Sequence, residues 1–280
     1  MPFFAISTYA VSLLLFFFQS PGASPPTKSQ QVNELKVRAD AGDPKAQVAL
    51  GVAFALGNGV VADDNEAVKW FRKAADQGDA AGEYSLGEMT LMGRGVAVDL
   101  PDAAKWMMRS AEHGDPRGQY NLAVMYAQGQ GVPRDDLEAA KWMRKVADQG
   151  MAAGEFGLGS MYAHGTGVAQ SAPEAAKWYR SAAAQGDLSA INNLAFLLAT
   201  STDASVRNPK EAVAIVQKAL ASGADTAPLL DTLATAYFEA GEVDKAVETE
   251  RRALTRHPDN PAYKIALGKY QAALSASQKR

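Results

Sequence analysis

Few side chains in this sequence have the type and spacing that catalysis requires. Ser160 and His164 are four residues apart, which places a hydroxyl and an imidazole on one face of a helix. No acidic residue stands where it would orient that imidazole, so the pair is an incomplete catalytic group. The sequence also lacks cysteine, a serine followed three residues later by lysine, Gly-x-Ser-x-Gly and His-Glu-x-x-His. We therefore predict no catalytic residue, no metal site and no cofactor, and we expect a protein that is not an enzyme.

The composition predicts a folded chain that does not bind nucleic acid. Of its 280 residues, 47% are hydrophobic and 21% are charged, so a core can form. Lysine and arginine number 28 against 31 acidic residues, giving a formal net charge of −3. A nucleic-acid-binding domain usually has a basic excess or a concentrated basic face. The charge balance therefore favours other partners.

The N-terminal segment differs from the rest of the chain. Residues 1–24 carry no charge, contain a run of leucine and phenylalanine, and end in proline, glycine, alanine and serine. This pattern predicts a secretory signal peptide, or an uncleaved anchor at the short end of the length that spans a bilayer. We expect an exported protein, periplasmic or secreted, whose contact with a membrane is limited to this segment.

A 36-residue repeat dominates the remainder of the sequence. Trp70, Trp106, Trp142 and Trp178 are spaced 36 residues apart. The lysine before each tryptophan and a Gly-x-Gly-Val motif keep the same spacing. Such regularity is typical of a solenoid or another repeat architecture.

Each repeat is predicted to contain two helices. Ala46, Leu50 and Phe54 recur four residues apart and form one apolar stripe on the first helix. Gly-x-Gly then ends that helix, because glycine adopts left-handed backbone conformations. Trp70 belongs to the inward stripe of the second helix, so we interpret the tryptophans as core residues. Because one helix pair cannot bury its apolar face alone, stacked pairs must share a continuous core.

Polar residues predict where the helices begin. The second helices follow Asp63, Asp99, Asp135 and Ser171, with an acidic residue three positions later in each case. This spacing predicts an approximate capping box. Aspartates also precede the first helices, but Met151 replaces one of them. We expect the cap at Met151 to be weaker by about 1 kcal/mol.

These motifs resemble the Sel-one-like repeat family, relatives of the tetratricopeptide repeat. The resemblance rests on Gly-Asp-x-x-Ala-Gln-x-x-Leu-Gly, Gly-x-Gly-Val and Glu-Ala-x-Lys-Trp-Phe-Arg-Lys-Ala-Ala. Leu230, Leu233, Ala234 and Tyr237 further resemble one tetratricopeptide unit, although Glu250 stands where an aromatic residue is usual. We predict an all-α, right-handed α-solenoid superhelix of antiparallel helix pairs, read as one continuous array.

The predicted organisation has five parts. They are a signal peptide (1–24), a linker and capping helix (25–41), four repeats (42–185), a degenerate repeat (186–222), and a tetratricopeptide-like unit with a capping helix (223–280).

The resemblance also implies a candidate binding surface, because the first helices of such proteins line a concave face. Aromatic and polar residues suit recognition of an extended segment or a helix of a protein partner, since amides bond the peptide backbone and rings add apolar area. The candidate residues are Tyr84, Ser85, Glu88, Tyr120, Asn121, Phe156, Ser160, His164, Asn192 and Asn193. The aromatic residues among them have a structural interpretation as well, and the sequence leaves both open.

The second helices carry a row of lysine and arginine residues that also has two interpretations. It could contact anionic lipid or an acidic partner. Alternatively, the cations complement the helix dipoles and their stems cover the tryptophan rings.

Taken with the resemblance, the sequence predicts a protein–protein interaction scaffold or adaptor of the cell envelope or secreted space. Two alternatives remain open at this stage. One is a peptidoglycan-associated binder or enzyme, and the other is a secreted effector that acts on a host protein.

Overall fold

The computed structural model describes residues 27–278, so the predicted export segment, residues 1–24, lies outside the described residues. Over this range the chain forms fourteen helices and no strand. They are α1 (Lys28–Asp40), α2 (Pro44–Leu56), α3 (Asp64–Asp76), α4 (Ala80–Met92), α5 (Leu100–Glu112), α6 (Pro116–Gln128), α7 (Asp136–Asp148), α8 (Ala152–His164), α9 (Ala172–Ala184), α10 (Leu188–Thr200), α11 (Pro209–Ala221), α12 (Ala227–Glu239), α13 (Val243–Arg256) and α14 (Pro261–Gln278). None of these helices is both long and apolar enough to cross a membrane.

The chain divides after Lys145 into two compact units, and α7 spans the division. In the N-terminal unit, each helix from α1 to α6 packs against the next one, and α4 also contacts α2 and α6. In the C-terminal unit, each helix from α8 to α14 packs against the next one, and α10 also contacts α12. Consecutive helix pairs confirm the predicted all-α fold of the α-solenoid class.

Glycines turn the chain between the two helices of a repeat. Gly93 ends α4 with a φ of 69°, a left-handed conformation that favours glycine. Gly95 follows with a φ of 65°, and an added Cβ would lie only 2.2 Å from the Asp64 carbonyl oxygen. The Gly-x-Gly motif therefore provides both the turn and the close approach to the preceding repeat.

The helix caps lie at the predicted residues, but the capping boxes of the second helices do not form. Asp63 accepts hydrogen bonds from Asn65 N and Glu66 N, as expected of an N-cap. Its own backbone N–H donates to the Phe54 carbonyl 3.0 Å away, while Glu66 bonds to Lys69. The same backbone bond recurs at the start of α5, α7 and α9. The prediction was wrong because this N–H ties the second helix to the first and needs no acidic partner.

The tryptophans pack in or against the core, and cations cover them. Trp70 and Trp178 are buried, whereas Trp106 and Trp142 are partly buried and pack against core clusters. Trp70 is 6% exposed and belongs to a cluster with residues of α1 and α2. The Lys73 ammonium lies 3.8 Å from the centroid of the Trp70 ring. The other three tryptophans each have a lysine or arginine within 5.0 Å of the ring centroid. These contacts favour the structural interpretation of the cationic row.

Candidate partner-binding surface

The five candidate residues in the N-terminal unit are buried. Each has at most 7% of its surface exposed, so together they offer almost no accessible area to a partner. They are Tyr84, Ser85, Glu88, Tyr120 and Asn121.

Two of these residues place polar groups in the interior. Burial raises the pKa of Glu88 to about 7, although the Tyr84 hydroxyl and the Arg117 guanidinium oppose that shift. Arg117 lies 4.4 Å from the centroid of the Tyr84 ring and pairs with Asp115. Asn121 is fully buried, and neither of its amide atoms has a hydrogen-bond partner among the residues that the structure describes. In this unit the predicted surface is therefore an interior polar layer.

The five candidates in the C-terminal unit retain accessible surface. Phe156, Ser160 and His164 lie at successive turns of α8, where His164 is exposed and the other two are partly buried. Asn192 and Asn193 lie on α10 and are also partly buried. These are the candidate residues that a partner can reach.

Tyr179 of α9 joins the two helices that carry these residues. Its ring lies 5.9 Å from the Phe156 ring, and its hydroxyl accepts a hydrogen bond from Asn193 Nδ2 at 3.5 Å. Burial raises the pKa of Tyr179, while its hydrogen bonds to Asn193 and Ser160 oppose that effect. Tyr179 thus contacts three of the candidate side chains through one buried phenol, and the sequence did not predict this role.

The two asparagines expose complementary hydrogen-bonding atoms. Asn192 Oδ1 accepts a 2.8 Å bond from Thr232 Oγ1, so the Asn192 side-chain N–H groups are directed elsewhere. Asn193 uses its Nδ2 on Tyr179, which leaves its Oδ1 as an acceptor. The Asn192 amide nitrogen is therefore available as a donor group, and the neighbouring Asn193 amide oxygen is available as an acceptor.

Phe196 completes this surface and was not among the candidate residues. It lies one turn beyond Asn192 on α10 and is 50% exposed. Its place in the repeat register puts it on the predicted concave face, because it occupies the same column as Ser160. We define the α8–α10 surface as Phe156, Ser160, His164, Asn192, Asn193 and Phe196.

The Ser160–His164 pair does not have the geometry of a nucleophile and its base. His164 Nδ1 lies 2.8 Å from the Ser160 carbonyl oxygen and donates to it, because a carbonyl can only accept. The Ser160 hydroxyl lies 3.5 Å from the same nitrogen. A protonated Nδ1 cannot take the serine proton, so this pair has no general base on that side of the ring.

Comparison with protein families identifies both kinds of repeat. The Sel1 repeat matches residues 44–79, 80–115, 116–151 and 152–187. A tetratricopeptide repeat matches residues 205–270. The Sel1 matches alone cover half of the chain. No curated protein matches the sequence.

Solved structures share this fold. A Sel1 repeat protein from Oxalobacter formigenes is 34% identical, with a TM-score of 0.62, over 70% of this chain and 80% of that one. A protective antigen with an SLR fold from uropathogenic Escherichia coli is 32% identical, with a TM-score of 0.57, over 88% of this chain. The match spans 60% of the length of the E. coli protein.

Proposed function

The chain belongs to the Sel1 repeat family, and we propose that it is a scaffold or adaptor that binds a segment of a partner protein on the α8–α10 surface. Sel1 and tetratricopeptide repeat proteins generally mediate protein–protein interactions. The observation that supports this surface is the exposed Phe196 ring beside the donor of Asn192 and the acceptor of Asn193. An extended peptide presents alternating carbonyl and N–H groups, which side-chain amides can bond, while Phe196 supplies apolar contact.

Contacts with neighbouring helices order several side chains of the surface. Tyr179 is 2% exposed and holds Phe156, Ser160 and Asn193, while Thr232 of α12 holds Asn192. Side chains that are already ordered lose little conformational entropy when a partner binds. This order supports the proposal that the surface is a recognition site.

We further propose that the protein acts after export. The support is the uncharged, apolar sequence of residues 1–24 and the proline, glycine, alanine and serine that end it. Fusion of these residues to an alkaline phosphatase that is active only outside the cytoplasm should give active enzyme. An inactive fusion would contradict export.

The binding proposal is tested by capture from an envelope extract, with the parent protein and three matched variants as baits. The parent protein should retain a partner that Phe196→Ala and Asn193→Ala lose. Ile265→Ala is the control, because Ile265 is 74% exposed on α14, outside the α8–α10 surface, and removes apolar area in the same way. Calorimetry with the identified partner should then show at least tenfold weaker binding for Phe196→Ala and an unchanged affinity for Ile265→Ala.

Other outcomes separate the alternatives. Equal capture by the parent and by Phe196→Ala would show that the α8–α10 surface is not the binding site. Binding to purified sacculi with no protein partner would favour the peptidoglycan-associated alternative. Recovery of the protein in culture supernatant, with a host protein as its ligand, would favour the effector.

A further inference from the structure

Second helices carry a stripe of three residues on one face, and the middle residue of this stripe differs between α3 and α13. In α3 the stripe is Ala67, Trp70 and Ala74, at spacings of three and four residues. In α13 the same spacing is occupied by Ala246, Thr249 and Ala253, all buried. Both flanking alanines are fully buried in each helix, so Thr249 occupies the place of a tryptophan. A threonine is far smaller than an indole and cannot fill that place.

A groove of about 470 Å³ lies at this point in the C-terminal unit. It is formed by α11, α12 and α13, and Thr249 is part of its wall. Its apolar lining includes Leu220 and Leu233, and Lys245 and Arg252 also line it. This volume is within the range of about 300–1,000 Å³ that is usual for ligand sites.

The wall of the groove matches the surroundings of a tryptophan in the N-terminal unit. Trp70 shares a core cluster with Leu50, and Phe54, one turn after Leu50 on the preceding helix α2, packs against that cluster. Leu233 and Tyr237 are likewise one turn apart on α12, the helix that precedes α13, and both line the groove. The groove is therefore the space that the tryptophan of a Sel1 repeat would occupy.

A cationic side chain lines this space at the position from which cations cover the tryptophans of other repeats. Lys73 and Lys145 each follow a tryptophan by three residues and lie 3.8 and 3.7 Å from its ring centroid. Arg252 follows Thr249 by the same three residues and lines the groove. Arginine over an aromatic face is a favourable cation–π arrangement, and indole is the best acceptor among the aromatic side chains.

The opposite wall is held in place by a hydrogen bond. Gln217 Nε2 on α11 donates to the Tyr237 hydroxyl on α12 at 2.7 Å, and both residues line the groove. This bond fixes the distance between two of the three helices that form the groove. A side chain that enters would meet a preformed shape, so its binding needs little rearrangement.

We propose that this groove binds an aromatic side chain, preferentially an indole, that a partner polypeptide presents. The bound ring packs against Leu233 and Tyr237, and Arg252 covers its face. The site is separate from the α8–α10 surface and shares no residue with it. Failure of one proposal therefore leaves the other open to its own test.

The test is a titration of the whole protein with N-acetyl-L-tryptophanamide, followed by the NMR signals of ¹³C-labelled leucine methyl groups. Leu220 and Leu233 should shift on addition of the probe, with a dissociation constant in the millimolar range. Thr249→Trp places an indole in the groove and should abolish these shifts. Thr249→Val keeps the size of the side chain and is the matched control, so it should bind the probe like the parent. Arg252→Gln should weaken binding about threefold.

Two further measurements make the outcome decisive. Ala221→Leu narrows the groove from its exposed rim and serves in place of Thr249→Trp if that variant does not fold by circular dichroism. N-acetyl-L-leucinamide compares an aliphatic side chain with the indole. The proposal is overturned if the tryptophan probe produces no shift, if it binds the filled variants like the parent, or if the leucine probe binds equally well.

Discussion

The carboxyl groups of Asp231 and Glu250 are neighbours within the C-terminal unit, and Glu250 is fully buried. No N–H or O–H group among residues 27–278 donates to either Glu250 oxygen. Because two carboxylates can only accept hydrogen bonds, neither can satisfy the other unless one of them carries a proton. Burial raises the pKa of Glu250 to about 8, and the charge of Asp231 contributes to this increase. Burial likewise raises the pKa of the neighbouring Tyr263 and Tyr270.

This pair predicts that stability falls as pH rises. Below pH 4.5, the usual pKa of glutamate, Glu250 is protonated in both the folded and the unfolded chain and has no ionisation cost. Between about pH 4.5 and 8 the unfolded chain releases a proton that the folded chain retains, so the free energy of unfolding decreases. Above about pH 8 the free energy of unfolding has decreased by its full amount. Glu250→Gln should therefore raise the stability at pH 8, by on the order of 2 kcal/mol, and flatten this dependence.

Urea unfolding at pH 5 and pH 8 measures this effect. Glu248→Gln is the matched control, since it removes the same charge from an exposed position on the same helix. It should leave the difference between the two pH values unchanged. If Glu250→Gln also leaves it unchanged, the buried carboxyl pair is not the cause of the pH dependence.

We expect Arg94 to stabilise the N-terminal unit through bonds to residues that are distant in the sequence. Its guanidinium bonds to both Asp64 oxygens, at 2.6 and 3.1 Å, and donates to the Ala55 carbonyl at 3.0 Å. It therefore ties the loop after α4 to both helices of the preceding repeat. Arg94→Ala should lower the free energy of unfolding by about 1–2 kcal/mol, and Arg94→Lys should recover only part of it, because lysine cannot form the paired bonds.

Thermal unfolding of a matched variant provides the comparison. Arg134 also forms two bonds to one aspartate, but Asp136 is only two residues away and the Arg134 side chain is 66% exposed. Arg134→Ala should change stability by less than about 0.5 kcal/mol. Equal losses for Arg94→Ala and Arg134→Ala would indicate that bridging the repeats adds nothing.

The fold could be predicted because its determinants are local and repeated. The Gly-x-Gly turns, the aspartate caps and the apolar stripes each act within a few residues of the chain. Repetition then identified the same feature in four places. The capping-box prediction failed because the competing bond, from Asp63 N–H to the Phe54 carbonyl, joins two helices and has no local signature.

The candidate site was harder to predict because accessibility depends on packing. Tyr120 and Phe156 occupy one column of the repeat, yet Tyr120 is 7% exposed and Phe156 is only partly buried. Tyr179 lies on a second helix, and only the folded structure shows its hydroxyl between Ser160 and Asn193. The groove at Thr249 likewise depends on three helices. Repeat columns specify the position of a residue but not the space around it.

Replacing Met151 with a capping residue should stabilise the protein. It is the N-cap of α8, with an extended backbone and no side-chain hydrogen bond, whereas Asp79 caps α4 with nearly the same backbone angles. This agrees with the weaker cap expected from the sequence. Met151→Asp should raise the free energy of unfolding by about 1 kcal/mol, because the carboxylate accepts from backbone N–H groups and complements the helix dipole. Met151→Ala should not stabilise the protein, and urea unfolding of both variants distinguishes a new cap from the loss of methionine.

Because Gly159 lies against Tyr179, we expect its replacement to change both the packing of Tyr179 and the binding of a partner. An added Cβ at this position would lie 2.7 Å from Tyr179 Cδ1, so the ring must move in Gly159→Ala. The displaced hydroxyl would no longer hold Ser160 and Asn193. We expect a net destabilisation of about 1 kcal/mol, because the clash exceeds the usual gain of replacing a helical glycine by alanine. Affinity for the captured partner should also fall.

Gly268→Ala is the control for this variant. Gly268 is also within a helix, α14, but an added Cβ there would meet no atom within 4 Å. This change should raise stability by about 0.5–1 kcal/mol and leave binding unaltered. Chemical unfolding and calorimetry on both variants separate the two effects. If Gly159→Ala is as stable as Gly268→Ala and binds the partner normally, the Tyr179 ring has room to shift and does not determine the shape of the α8–α10 surface.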